Sequence, residues 1–122
     1  MNYIKRATIG YLAGLFDGEG CITVAKYNRK NRQGINNYYA LRLTLTNKNR
    51  PCLELFRDTF RIGGINQDKR SSCWVWASGG TSHNKKILKA LLPHLIIRRA
   101  KAKLAIRLSP QELYRENQEK KI

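Results

Sequence analysis

The sequence predicts an α+β fold: one sheet of four antiparallel strands, helices on one of its faces, and further helices toward the C-terminal end. Three observations predict it. Apolar residues recur at helical spacing before Gly20, switch to two-residue alternation just after it, and return to helical spacing near Pro51. The same change from helix to paired strands happens a second time after Gly63-Gly64. The resulting order, α-β-β-α-β-β-α-α-α, runs through 122 residues without an internal repeat or a linker, so one domain is expected.

Each element follows from its own pattern. Ile9, Leu12, Ala13 and Phe16 stand at i, i+3, i+4 and i+7, which predicts a helix over 9–16 with Thr8 as its N-cap. Its other face is not polar but carries Gly10 and Gly14, and small residues four apart let a second backbone come close. Residues 21–27 predict a strand with Ile22 and Val24 on one face and Thr23, Ala25 and Tyr27 on the other. A polar loop is expected over 28–37. Tyr39, Leu41, Leu43 and Leu45 then alternate with Ala40, Arg42, Thr44 and Thr46, giving a second strand and an antiparallel hairpin.

Pro51 suits the first turn of a helix whose inner stripe is expected to be Cys52, Leu55, Phe56, Thr59 and Phe60. A second hairpin is expected over 65–69 and 73–77, with Trp74 and Trp76 together on the core face. Leu88, Leu91, Leu92 and Leu95 predict a helix from about His83. A basic helix over 100–108 is expected to turn Leu104, Ala105 and Leu108 inward. Ser109-Pro110-Gln111-Glu112 is a capping box, opening a C-terminal helix. The expected domain is therefore 1–122, with a core over about 8–108 and a helical extension over about 109–122.

Charge narrows the function. The chain carries 24 Lys+Arg against 8 Asp+Glu, a net charge of +16. No acid stands between Glu19 and Glu54, nor between Asp68 and Glu112. An apolar content of 42% is too high for a disordered polycation, so the surplus belongs to a folded surface that meets a polyanion, foremost nucleic acid. No apolar run approaches a membrane span, and Asp17 and Glu19 interrupt the first twenty residues, so neither a membrane partner nor secretion is expected. The expected location is intracellular, and no small-molecule substrate is implied. Cys21, Cys52 and Cys73 lack a CxxC pair or zinc spacing with His83 and His94, which fits reduced structural thiols.

The sharpest feature is Leu12-Ala13-Gly14-Leu15-Phe16-Asp17-Gly18-Glu19-Gly20: a buried helix ending in two carboxylates spaced by glycines, with a strand starting at once. Carboxylate and carbonyl oxygens there make an electronegative spot on a basic protein. Such hard ligands suit Mg²⁺, with phosphates and waters completing the shell. The alternative is that Glu19 caps backbone amides.

This nonamer resembles the signature of the LAGLIDADG homing endonucleases, departing from it at Phe16, Gly18 and Glu19. The αββαββα order, the segment Thr46-Asn47-Lys48 and the stretch 91–102 are also similar to that family, so the resemblance covers about 8–108. It implies a four-stranded saddle over DNA and Mg²⁺-dependent cutting of both strands, with 3′ overhangs. Mn²⁺ is expected to substitute, and Ca²⁺ to support binding without cleavage. By position, Glu19 and the carbonyl of Gly18 would be metal ligands and Asp17 would close the helix end. Asn47 would orient water, or be a plain turn residue; Arg98 or Lys48 would supply the important cation.

With a single signature copy, the resemblance implies a homodimer packed through Gly10, Ala13, Gly14 and Asp17, cutting a pseudo-palindromic site. The alternating polar face would meet double-stranded DNA through Thr23, Tyr27, Arg29, Arg42, Thr44, Asn66, Asp68 and Arg70. Lys30, Arg32, Lys48, Lys101 and Lys103 would hold phosphates. An RNA-binding intron maturase or a non-cleaving DNA-binding protein on the same fold is the alternative.

Overall fold

A computed structural model describes residues 6–31 and 34–108. Helix α1 (Arg6–Glu19) leads into β1 (Gly20–Asn31) and β2 (Gly34–Asn47). Then come α2 (Arg50–Phe60), β3 (Gly64–Gln67), β4 (Trp74–Ser78), α3 (Thr81–Leu91), a 3₁₀ turn (Leu92–His94) and α4 (Arg99–Arg107). The sheet order is β1-β2-β4-β3, and every pair is antiparallel. Among the described residues, no helix is long and apolar enough to cross a membrane.

The helices cover one face of this sheet, and the core lies between the layers. Trp76 is its centre. The ring of Phe56 meets it edge-on at 4.7 Å, and Phe16 from α1 stacks on Phe56 at 6.1 Å. The Trp76 indole N–H donates to the Ile62 carbonyl at 2.8 Å, so the polar edge of a fully buried ring is satisfied. Gly63 makes this possible. It takes φ +92°, and a Cβ there would collide with the indole.

The structure corrects several local expectations. Helix α1 includes Thr8 rather than starting after it, and runs on through Glu19, so both carboxylates sit in its last turn. Within the expected polar loop over 28–37, residues 28–31 and 34–37 are strand: β1 and β2 pair out to Asn31↔Gly34. The ribbon has no β4 beside it there, so the backbone pairs without any apolar alternation to announce it. In α2 the buried pair is Leu53 and Phe56, whereas Leu55 is 43% exposed. Asn49 sets this phase by capping the helix: its side chain accepts the Cys52 N–H at 3.1 Å.

Helix α3 starts at Thr81, not His83, and buries Asn84, Ile87, Leu88 and Leu91. In α4 the inward stripe is Ala102 and Ala105, with Leu108 just beyond it, while Leu104 is 40% exposed. Small residues let α4 lie close to its neighbours, and Leu104 points away. The capping box over 109–112 and the C-terminal helix lie outside the described residues.

Candidate cleavage site and nucleic-acid interface

The site is built at the end of α1, where helix passes directly into strand. Gly20 is buried, and a Cβ there would lie 2.5 Å from both the Phe16 ring and its carbonyl, so glycine is required by close approach. Asp17 fastens this junction to the segment that leads into α4. Its carboxylate accepts the N–H groups of Ile96 and Ile97 at 2.9 Å each, and of Arg98 at 2.8 Å. Burial pushes this carboxyl up, but the three amides and the Arg98 charge outweigh it and hold the group below the usual carboxylate range. The Arg98 Nε–H then donates to the Phe16 carbonyl at 3.2 Å, capping the helix end with a cation.

Glu19, two residues on, faces the other way. It is exposed and takes no hydrogen bond or ion pair from the described residues. It does not cap backbone amides. With Thr46, Asn47, Lys48 and Cys73 it lines a shallow cleft of about 370 Å³. Two of the residues expected to act with it are therefore beside it. The Asn47 side-chain oxygen accepts the Asn49 N–H at 2.8 Å, so Asn47 is a turn residue as well, with its amide NH₂ free of that bond. Burial, followed by the nearby Glu19 charge, pushes the Cys52 thiol up. Arg98 does not line the cleft. It is tied to the carbonyl three residues before Glu19.

Among the described residues, no three His, Cys, Asp or Glu side chains gather to hold a metal ion. One free carboxylate at a helix C-terminus fits a Mg²⁺ site that phosphates complete, and does not fit a closed structural cage. Cys73 reaches the cleft through register, which sets the start of β4 beside the end of β2 and its Thr46-Asn47-Lys48 segment.

The open sheet face carries Thr23, Tyr27, Arg42, Thr44 and Asn66 from among the residues expected to contact DNA. Thr23 pairs with Arg42, Cys21 with Thr44, Thr46 with Val75 and Asn66 with Val75, which puts these side chains on the face away from Trp76. Asp68 has a different task. Its carboxylate accepts the Arg70 N–H and the Ser71 hydroxyl, each at 3.0 Å, and so shapes the β3–β4 loop that also carries Arg70. Tyr27 stacks on Tyr38 at 5.4 Å. Arg29 and Lys30 lie on β1, opposite Asn36 and Ile35, while Arg32 lies outside the described residues. Lys101 and Lys103 belong to the helix layer, because α4 packs its alanines on the core side; they do not share the open face.

On α1, Gly10, Gly14 and Gly18 meet nothing within 4 Å of an added Cβ, so this flank is open. Ala13 and Asp17 are corrected: both are buried inside the chain itself and offer no surface to a second copy.

The model of the LAGLIDADG endonuclease family matches residues 12–104. The chain belongs to this family. The LAGLIDADG stretch is thus the last two turns of α1 and the first residue of β1. Solved structures share the fold. The homing endonuclease I-CvuI, in complex with DNA, aligns with a TM-score of 0.71 and 22% identity, over 87% of this chain and 68% of that one. The archaeal intron-encoded endonuclease I-Vdi141I, complexed with DNA, gives 0.64 and 20%, over 81% and 64%. I-CeuI, also complexed with DNA, gives 0.64 and 15%, over 96% and 59%. No curated protein matches the chain in sequence.

Proposed function

We propose that two copies of this chain form a site-specific DNA endonuclease that cuts both strands of a long pseudo-palindromic site, leaving 3′ overhangs. The observation that carries this reading is the free Glu19 carboxylate beside Asn47 and Lys48, at the end of a helix whose glycine flank is open. One such cleft serves one strand, and a two-fold axis along the Gly10/Gly14 flank would bring two clefts together. I-CvuI was crystallised on its target with Ca²⁺ and on an uncleaved target with Mg²⁺, which supports a divalent ion here.

Glu19 and the Gly18 carbonyl would hold Mg²⁺, which when bound supplies charge stabilisation to the phosphodiester being hydrolysed. Mn²⁺ would substitute, and Ca²⁺ would support binding alone. Lys48 places a positive charge at the cleft to hold the phosphate. Asn47 offers its amide N–H groups to orient the attacking water. Arg98 keeps the end of α1 in place through Phe16, and its remaining N–H groups can meet a phosphate; as a guanidinium it carries no proton away. Thr23, Arg42, Thr44 and Asn66 read base edges from the open sheet face.

The test is selection of binding sites from random duplex DNA in Ca²⁺, followed by addition of Mg²⁺ to the recovered pool. A pseudo-palindrome cut on both strands is the expected result. Binding without cutting would favour a maturase or regulator on the same fold, and no enriched sequence would overturn site-specific recognition. Gly14→Leu should abolish the dimer in sedimentation velocity; an unchanged dimer would refute the α1 interface.

A further inference from the structure

The long hairpin outruns the rest of the sheet. β1 and β2 pair from Gly20↔Leu45 to Asn31↔Gly34, but β4 accompanies β2 only from Leu43 to Asn47. Where β4 ends, the β4–α3 corner takes hold of β2 instead. The Leu41 N–H donates to the Thr81 hydroxyl at 3.0 Å, and the Asn84 side-chain amide donates to the Leu41 carbonyl at 2.8 Å. The same amide donates to the Ser78 carbonyl at 2.8 Å, and Asn84 is fully buried. Two side chains of α3 thus continue the ladder that β4 leaves off. On the opposite, open face, Tyr27 from β1 lies against the same corner. A Cβ on Gly79 would stand 3.0 Å from its hydroxyl, and its ring is stacked on Tyr38. Gly79 needs no glycine for its backbone angles, so its lack of a side chain serves to leave room for Tyr27.

We infer that the β4–α3 corner is the fulcrum that sets the angle of the ribbon beyond it, and that Tyr27 is a positioning residue for recognition rather than a reader of bases. The inference rests on the proposal that the open sheet face binds DNA. A strand rises about 3.3 Å per residue, close to the spacing of base pairs, so residues 28–31 and their partners 34–37 reach positions roughly eight to eleven base pairs from the start of β1. The ribbon carries Asn28, Arg29, Lys30, Asn36 and Asn37. If its angle is fixed by Tyr27 and Gly79, discrimination at the outer end of each half-site depends on residues that touch no base there.

Site selection and amide hydrogen exchange on the full chain test this together, using Tyr27→Ala, Tyr27→Phe and Gly79→Val. Tyr27→Ala and Gly79→Val are expected to flatten base preference several-fold across the outer positions, leaving inner preference within about twofold, and Gly79→Val should leave the cutting rate of a fixed site within about twofold. Tyr27→Phe should shift the outer preference in the same direction by less. Amides of the ribbon should exchange roughly tenfold faster in both larger variants, with α3 amides unchanged. Loss at one base pair in Tyr27→Ala alone would make Tyr27 a reader and overturn the inference. So would equal weakening at every position, or unchanged exchange. If the parent chain selected no sequence, the DNA reading would fail while hydrogen exchange still decided the fulcrum.

Discussion

Asp17 and Glu19 stand two residues apart on one helix turn and live in opposite surroundings. Asp17 is buried and accepts three backbone N–H groups from residues 96–98. Glu19 is exposed, at the edge of the cleft with Asn47 and Lys48, and is unengaged by the described residues. Two residues are about 200° of helical rotation, so one carboxylate turns into the molecule and the other out of it. The difference teaches how one helix end is anchored by one acid and left open at the other. The buried acid holds the turn in place, so that the free acid can sit unneutralised in a chain of net charge +16.

The contrast is sharpened most by Glu19→Gln. It should cut DNA at least about a thousandfold more slowly, roughly 4 kcal/mol in the barrier, with folding and DNA binding kept. Single-turnover cleavage alongside a binding titration would measure this, and equal loss of both would refute the proposed metal role of Glu19. Next in size is Asp17→Asn, which leaves buried amides without their charged acceptor and should cost roughly 3 kcal/mol in urea unfolding. A variant as stable as the parent would break the comparison at its buried side. Gly20→Ala should cost about 1–3 kcal/mol, because the new methyl meets the Phe16 ring and carbonyl. Its cleavage rate should fall as well, through displacement of Glu19.

The smallest effect is pH dependence. Asp17 has a folded pKa held below its ordinary value, so its stabilisation is fully present above about pH 4 and is lost as pH falls through the folded value. The stability gap between the parent and Asp17→Asn should accordingly narrow on going from pH 7 to pH 3. Urea midpoints at the two pH values check the sign, and a gap that widened in acid would refute it.

Much of the site was legible in the residue order. The nonamer named Glu19, and the alternation of Leu41, Leu43 and Leu45 with Arg42 and Thr44 gave the open face its polar side. Where the apolar signal stopped, so did legibility. Residues 28–31 and 34–37 pair their backbones with no β4 beside them, and nothing in the residue order distinguishes such a ribbon from a loop. The phase errors at Leu55 and Leu104 have another cause. A helix of about ten residues offers two plausible stripes, and a cap such as Asn49 or the close fit of Ala102 and Ala105 chooses between them.

By itself the sequence determined the layer architecture, the sign of the surface and the acid at the helix end. Periodicity, charge and a glycine-spaced pair of carboxylates are local properties that survive without neighbours. Only the tertiary structure decided which acid is buried, that Cys73 shares a cleft with Glu19, and that Thr81 and Asn84 complete the ladder of β2. Those facts join residues some 40 to 80 positions apart, and a pairing of that range is set by register and packing, which no window of the chain contains.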